Sequence, residues 1–198
     1  MVSEAASTAL AEPEEGAPPI RLANLIWVAL ALLVMLAAIE SERHWFLNFV
    51  HVLAGVLWTG IDLFMGFVVG PILRRLPLAA RRAVVCRLMP RTLFILPTLA
   101  VITGTAGWFL AERGGYLALA YPAFWWVASA LALIAVLTVQ GLGILLPLNL
   151  RVYFELRKPR PDGNRIARMM RLYVRIVALQ GLMQIAIILV MARFVTGL

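Results

Sequence analysis

Charge is scarce in this chain. Only 14% of its 198 residues are Asp, Glu, Lys or Arg, against about 25% in an ordinary soluble domain. Apolar residues fill the difference: they make up 63% of the sequence, and the mean hydropathy is +0.91. That balance excludes a soluble enzyme and a soluble nucleic-acid-binding module. Cysteine is nearly absent. Cys86 stands alone, which excludes a disulfide framework and any cysteine-based zinc or iron–sulfur centre. Histidine occurs only at His44 and His51, too few for a multi-histidine metal cluster. No Walker loop, dinucleotide fingerprint or serine nucleophile elbow occurs. The small-residue runs at 104–107 and 141–143 read as places where helices pack closely.

What is present is a series of apolar runs. Crossing about 30 Å of hydrocarbon takes roughly 20 helical residues. Runs of that size fall near 22–39, 46–72, 92–111, 122–148 and 173–195. The sequence thus predicts an all-α integral membrane bundle of five transmembrane helices over 21–198. Residues 1–20 carry Glu4, Glu12, Glu14 and Glu15 among Ala, Pro and Ser, and read as a disordered cytoplasmic tail. A secretory signal begins with positive charge, whereas this stretch is acidic, so the first span reads as an uncleaved anchor.

The net charge of +8 is distributed unevenly. Arg74, Arg75, Arg81, Arg82, Arg87 and Arg91 follow the second span. Arg151, Arg157, Lys158, Arg160, Arg165, Arg168, Arg171 and Arg175 follow the fourth. The intervening connections and the C-terminus hold Arg43, Arg113 and Arg193. Fourteen cations on one side against three on the other place the N-terminus inside and the C-terminus outside. The expected setting is a bacterial inner (plasma) membrane, crossed several times. The Arg-rich inner segments then meet anionic lipids, and nucleic acid is not an expected partner. Trp45, Phe46, Trp108, Phe109, Tyr121, Phe124, Trp125 and Trp126 fall at the opposite, outer interface, where amphipathic rings settle. Pro159, Pro161 and Gly163 suggest that 151–171 includes an amphipathic helix on the inner surface, set apart from the fourth span.

The second span carries the chemistry. At about 100° per residue, His44, His51, Gly55, Trp58 and Asp62 fall within about 60° of one another. Asp62 is an acidic residue deep in a span, and an ionisable group there is costly and a candidate for function. Gln140, Gln180, Gln184 and Thr98 lie at matching depth. Two readings stay open for Asp62: a hydrogen-bonding group that holds helices together, or a proton or cation relay.

His51 lies about two turns inside the outer end, with Gly55 one turn on. It reads either as a hydrogen-bonded packing residue or as an axial ligand for haem iron in an apolar pocket. For a second ligand, Met35 and Met191 reach its level, whereas Met183 lies deeper. Lys158, Met89, Met169 and Met170 belong to the inner side. His44 reads as an interface residue.

The run from His51 through Gly55 and Trp58 to Gly60 has the form H-x(6)-W-x-G. With Gly70-Pro71, Met89-Pro90-Arg91 and Thr103-Gly104, it resembles a group of small helical membrane proteins. These are the copper-resistance D proteins, the membrane-type protoporphyrinogen oxidases and the N-terminal membrane domain of membrane-type urate oxidases. The resemblance is strongest over about 25 residues. It implies a haem b ligand at His51. In the protoporphyrinogen-oxidase branch the second ligand is a lysine, and here Lys158 lies at a different depth. The expectation is a b-type haem protein in electron transfer, or the membrane subunit of an oxidoreductase with other membrane or redox subunits. The alternatives are a copper or small-solute transport protein, with copper as the cofactor, and a cofactor-free structural subunit.

Overall fold

The computed structural model describes residues 23–197; the acidic stretch 1–20 lies outside them. Five helices account for nearly all of the described residues. Helix α1 spans Asn24–Glu40, α2 His44–Arg75, α3 Leu78–Arg113, α4 Phe124–Leu156 and α5 Gly163–Val195. No strand occurs among the described residues. The four helices α2–α5 are long and apolar enough to cross a membrane. Helix α1 has 17 residues, or about 26 Å, slightly short of the hydrocarbon thickness.

The connections are much shorter than expected. The stretch 74–91 is not a basic loop, because α3 begins at Leu78 and carries Arg81, Arg82, Arg87 and Arg91 in its first turns. Nor does 151–171 form a separate surface helix. Its first part completes α4 and its last part opens α5, with only residues 157–162 between them. Hydropathy marks where a helix can lie in hydrocarbon, whereas arginine is a good helix former and lets the helix run on past it. At 36 residues, α3 is about 54 Å long. Antiparallel helices then gather the cations of α2, α3, α4 and α5 at one end of the bundle, the basic end. The opposite, aromatic end presents Trp45, Trp108, Tyr121 and Trp125 as exposed rings.

Local interactions close the basic end. Arg81 donates to the carbonyls of Leu73, Arg74 and Leu76, satisfying the last acceptors of α2. Arg82 donates to the Leu156 carbonyl and joins α3 to the end of α4. Asp162 caps α5, accepting from the backbone N–H groups of Asn164 and Arg165 at 2.9 and 3.0 Å. Buried Glu155 pairs with Lys158 at 2.8 Å and with Arg165 at 3.5 Å, pinning the turn between α4 and α5.

Two helices are locally widened. Residues Phe64–Val69 of α2 and Val139–Leu145 of α4 are π-helical. Each stretch runs up to a proline, Pro71 or Pro147, whose ring has no N–H and crowds the preceding turn. Widening the turn accommodates that ring. Asp62 lies just before the first stretch, and the buried Gln140 lies within the second.

Helices α2, α3, α4 and α5 form a four-membered ring, and α1 packs outside it against α2 and α3. Met35, Ala38, Leu47, Val50, Ala54 and Ala106 fill that outer seam. The ring is tight toward the basic end. There Gly66 and Gly70 of α2 face Val177 and Val174 of α5, and Gly181 of α5 faces Leu63. Toward the aromatic end it opens: α3 packs against α4 only over Val139–Leu156, while Phe124–Thr138 packs on α5 and makes next to no contact with α3.

Candidate intramembrane site

The stripe on α2 faces the inside of the ring and serves two separate places. His51 and Asp62 are eleven residues apart on one face, which puts about 16 Å between them along the helix. The fold therefore does not bring them into one centre.

At the aromatic-end place, the His51 Nδ1 lies 2.9 Å from the Thr103 carbonyl of α3. A carbonyl can only accept, so Nδ1 carries the proton and Nε2 keeps its lone pair. The ring rests against Gly107, where an added β-carbon would come within 2.7 Å of His51 Cε1. Gly55 sits over the Thr103 side chain, with 3.4 Å from an added β-carbon to Cγ2. One turn before Gly107, Gly104 faces open space. Trp58 is buried and turns the other way along the stripe, to Asp62. His44 is exposed at the first turn of α2.

At the second place, Asp62 is 1% exposed. Gln180 Nε2 donates to its Oδ2 at 2.5 Å and Gln184 Nε2 to the same oxygen at 2.9 Å. The Trp58 side chain, one turn before it, is a third hydrogen-bond partner. Among the described residues, no side-chain cation pairs with Asp62. Of the partners expected at this depth, Gln180 and Gln184 arrive. Thr98 does not: its hydroxyl bonds the Phe94 carbonyl at 2.7 Å. Gln140 is buried on α4 without bonding Asp62, and its Oε1 has no partner.

A cavity of about 30 Å³ opens beside Asp62, lined also by Trp58, Gly141, Asn149, Tyr173 and Gln180. Sequence reasoning missed Asn149 and Tyr173, which hydrogen-bond to each other. The signal was available for Tyr173: with Val177, Gln180 and Gln184 it makes a stripe at helical spacing, and all four are buried.

The same stripe continues to Met191, seven residues beyond Gln184 and half-buried. The Asp62 bonds fix the register of α2 against α5. Counting outward from them at about 1.5 Å per residue puts Met191 within about one turn of the His51 level. Met35 belongs to the other seam, where it is packed among α1, α2 and α3 at 6% exposure. No group of three or more His, Cys, Asp or Glu suited to a metal ion occurs among the described residues.

The His51–Thr103 pair has the form of a ligating histidine and its supporting carbonyl. A metal-ligating histidine characteristically donates its other N–H to a carbonyl, which sets ring orientation and ligand basicity. His51 does this with Thr103. Protein-family models, curated proteins and solved structures all give no match to this chain.

Proposed function

We propose that this protein is a membrane-embedded b-type haem protein, acting in electron transfer or as the membrane subunit of an oxidoreductase. The single observation that carries the reading is the His51–Thr103 pair at 2.9 Å, which leaves Nε2 free to ligate. Haem b supplies one-electron chemistry when bound. The chain's own residues would do the rest. His51 would hold the iron, Thr103 would orient the imidazole, and Gly104 and Gly107 would keep backbone rather than side chains beside it. Met191, on the facing helix, is the second-ligand candidate. The apolar walls would exclude water, which favours the less charged form of the site.

In this reading the N-terminus faces the cytoplasm of a bacterium, the basic end contacts anionic lipid, and a further membrane or redox subunit exchanges electrons at the aromatic end. The alternative of copper handling draws no support from Asp62, because the buried groups around it are oxygen and nitrogen donors rather than the thiolates and thioethers that select Cu(I). The test is titration of haem into purified haem-free protein. A saturable Soret band at one haem per chain supports the reading. Met191→Leu should shift the band while leaving stoichiometry unchanged, and Met35→Leu should leave the band where it was. Absence of saturable binding would leave transport or a purely structural role.

A further inference from the structure

The chamber beside Asp62 has more acceptors than its donors can serve. Both Gln180 and Gln184 turn their amide nitrogens to one carboxylate oxygen. That leaves Gln180 Oε1 and Gln184 Oε1 buried with no hydrogen-bond partner. A buried carbonyl without a donor is costly, so something else is expected to satisfy it. Gln180 Oε1 lies 4.0 Å from a β-carbon built on Gly141, and Gly141 and Gln180 both line the chamber. The orphan oxygen is thus directed at the space that Asp62, Asn149 and Tyr173 border. Gly141 matters here because a side chain at that position would occupy the space.

We propose that this chamber is a binding site for one partly dehydrated monovalent cation of alkali-metal size. Three features set the ligand class. Asp62 has no cationic side-chain partner among the described residues, and in its ionised form it carries one negative charge, which a monovalent ion neutralises without leaving a surplus. Every acceptor facing the space is a hard oxygen: carboxylate, amide carbonyl or phenol. Such oxygens suit alkali and alkaline-earth ions rather than copper, and carbonyl groups commonly replace the hydration shell of a monovalent ion inside membrane proteins. The volume of about 30 Å³ admits an ion with a water or two, since one water needs roughly 10–15 Å³ on this measure. Asn149 also borders a second cavity of about 10 Å³ between α3 and α4, next to Met89 and Tyr153, so the gap continues toward the basic end.

The probe is sodium chloride against choline chloride at equal ionic strength, read as the thermal stability of the purified full chain in detergent. Wild type should gain several degrees in Tm with a saturable, single-site dependence on Na+ that choline does not reproduce. Asp62→Asn keeps the shape and removes the charge, and should abolish the Na+ dependence. Asn149→Ala should weaken apparent Na+ affinity several-fold, which keeps the test decisive if the Asp62 variant does not fold. Equilibrium dialysis of wild type with radioactive sodium should give about one ion per chain. An equal response to choline and Na+ would overturn the proposal. So would a Na+ response that persists in Asp62→Asn, or a stability that depends on Asp62 through pH alone, which would assign the chamber to a proton. None of these readouts requires haem, so their failure is distinct from failure at His51.

Discussion

Gly107→Ala tests whether the His51 imidazole is held where the helices place it. The new β-carbon would lie 2.7 Å from Cε1 and 3.0 Å from Nδ1, both inside van der Waals contact. The ring cannot swing away freely, because Nδ1 is tied to the Thr103 carbonyl at 2.9 Å. Forcing an extra methyl into a packed site costs about 1–3 kcal/mol. Loss of the hydrogen bond adds about 1 kcal/mol, and replacing a mid-helix glycine by alanine returns about 1 kcal/mol. The expected result is a net loss of about 1–3 kcal/mol. In a His51→Ala background the obstruction is gone, and the same substitution should stabilise by up to about 1 kcal/mol. The coupling between the two positions is therefore about 2–4 kcal/mol. The assay is a four-protein cycle, unfolded reversibly in mixed micelles with every protein free of cofactor. Gly104→Ala is the control: its β-carbon meets open space, so it should be neutral or slightly stabilising. A coupling within about 0.5 kcal/mol of zero would refute the placement of the ring.

Three further outcomes follow from the same geometry. Asp62→Asn should leave the protein folded and membrane-inserted, since an amide can still accept from Gln180 or Gln184; near-complete loss of folded protein in detergent chromatography would contradict this. Asp162→Ala should loosen the start of α5. The hydrogen bond from the Arg165 backbone, then that from Asn164, holds the Asp162 carboxyl below its ordinary pKa. A lowered folded-state pKa stabilises above the ordinary carboxylate range and fades as pH falls through the folded value. The stability gap between wild type and variant should therefore be open at neutral pH and close on acidification below about pH 4; a gap independent of pH would count against the cap. Finally, a reporter active only in the cytoplasm, fused after Leu198, should stay silent, and a strong signal there would mean an even number of crossings.

Much of this architecture could be read from residue spacing, and the parts that could not have physical causes. The α2 stripe was legible because a helix repeats every 3.6 residues whatever surrounds it, so His51, Trp58 and Asp62 had to share a face. The gathering of arginines at one end was legible because successive spans run in opposite directions, so the alternate connections that carry the cations fall on one side. Helix ends were not, since hydropathy falls at Arg91 and Arg171 while helical propensity does not. The partners of Asp62 were legible only as a set at one depth. Depth alone does not say which way a side chain turns, so Gln140 and Thr98 looked as eligible as Gln180 and Gln184. Thr98 is lost to its own helix backbone, the usual competition for a threonine in a helix. Asn149 and Tyr173 were hidden for a different reason. They lie nearer the basic end, where polar residues are common, and only the packing of α4 on α5 turns them inward. The glycine at 107 looked like a site of helix packing, and it is one, but what packs there is an imidazole rather than a helix backbone.

The measurement that bears most directly on the central claim is the visible absorption spectrum of the protein purified from cells supplied with ample haem, compared with that of His51→Ala. The account predicts a Soret band in the wild type that is lost or strongly reduced in His51→Ala, with both proteins in the membrane in similar amounts. His44→Ala should keep the band, because His44 lies seven residues away at the exposed start of α2. A colourless wild-type protein, or a spectrum unchanged by His51→Ala, would contradict the account.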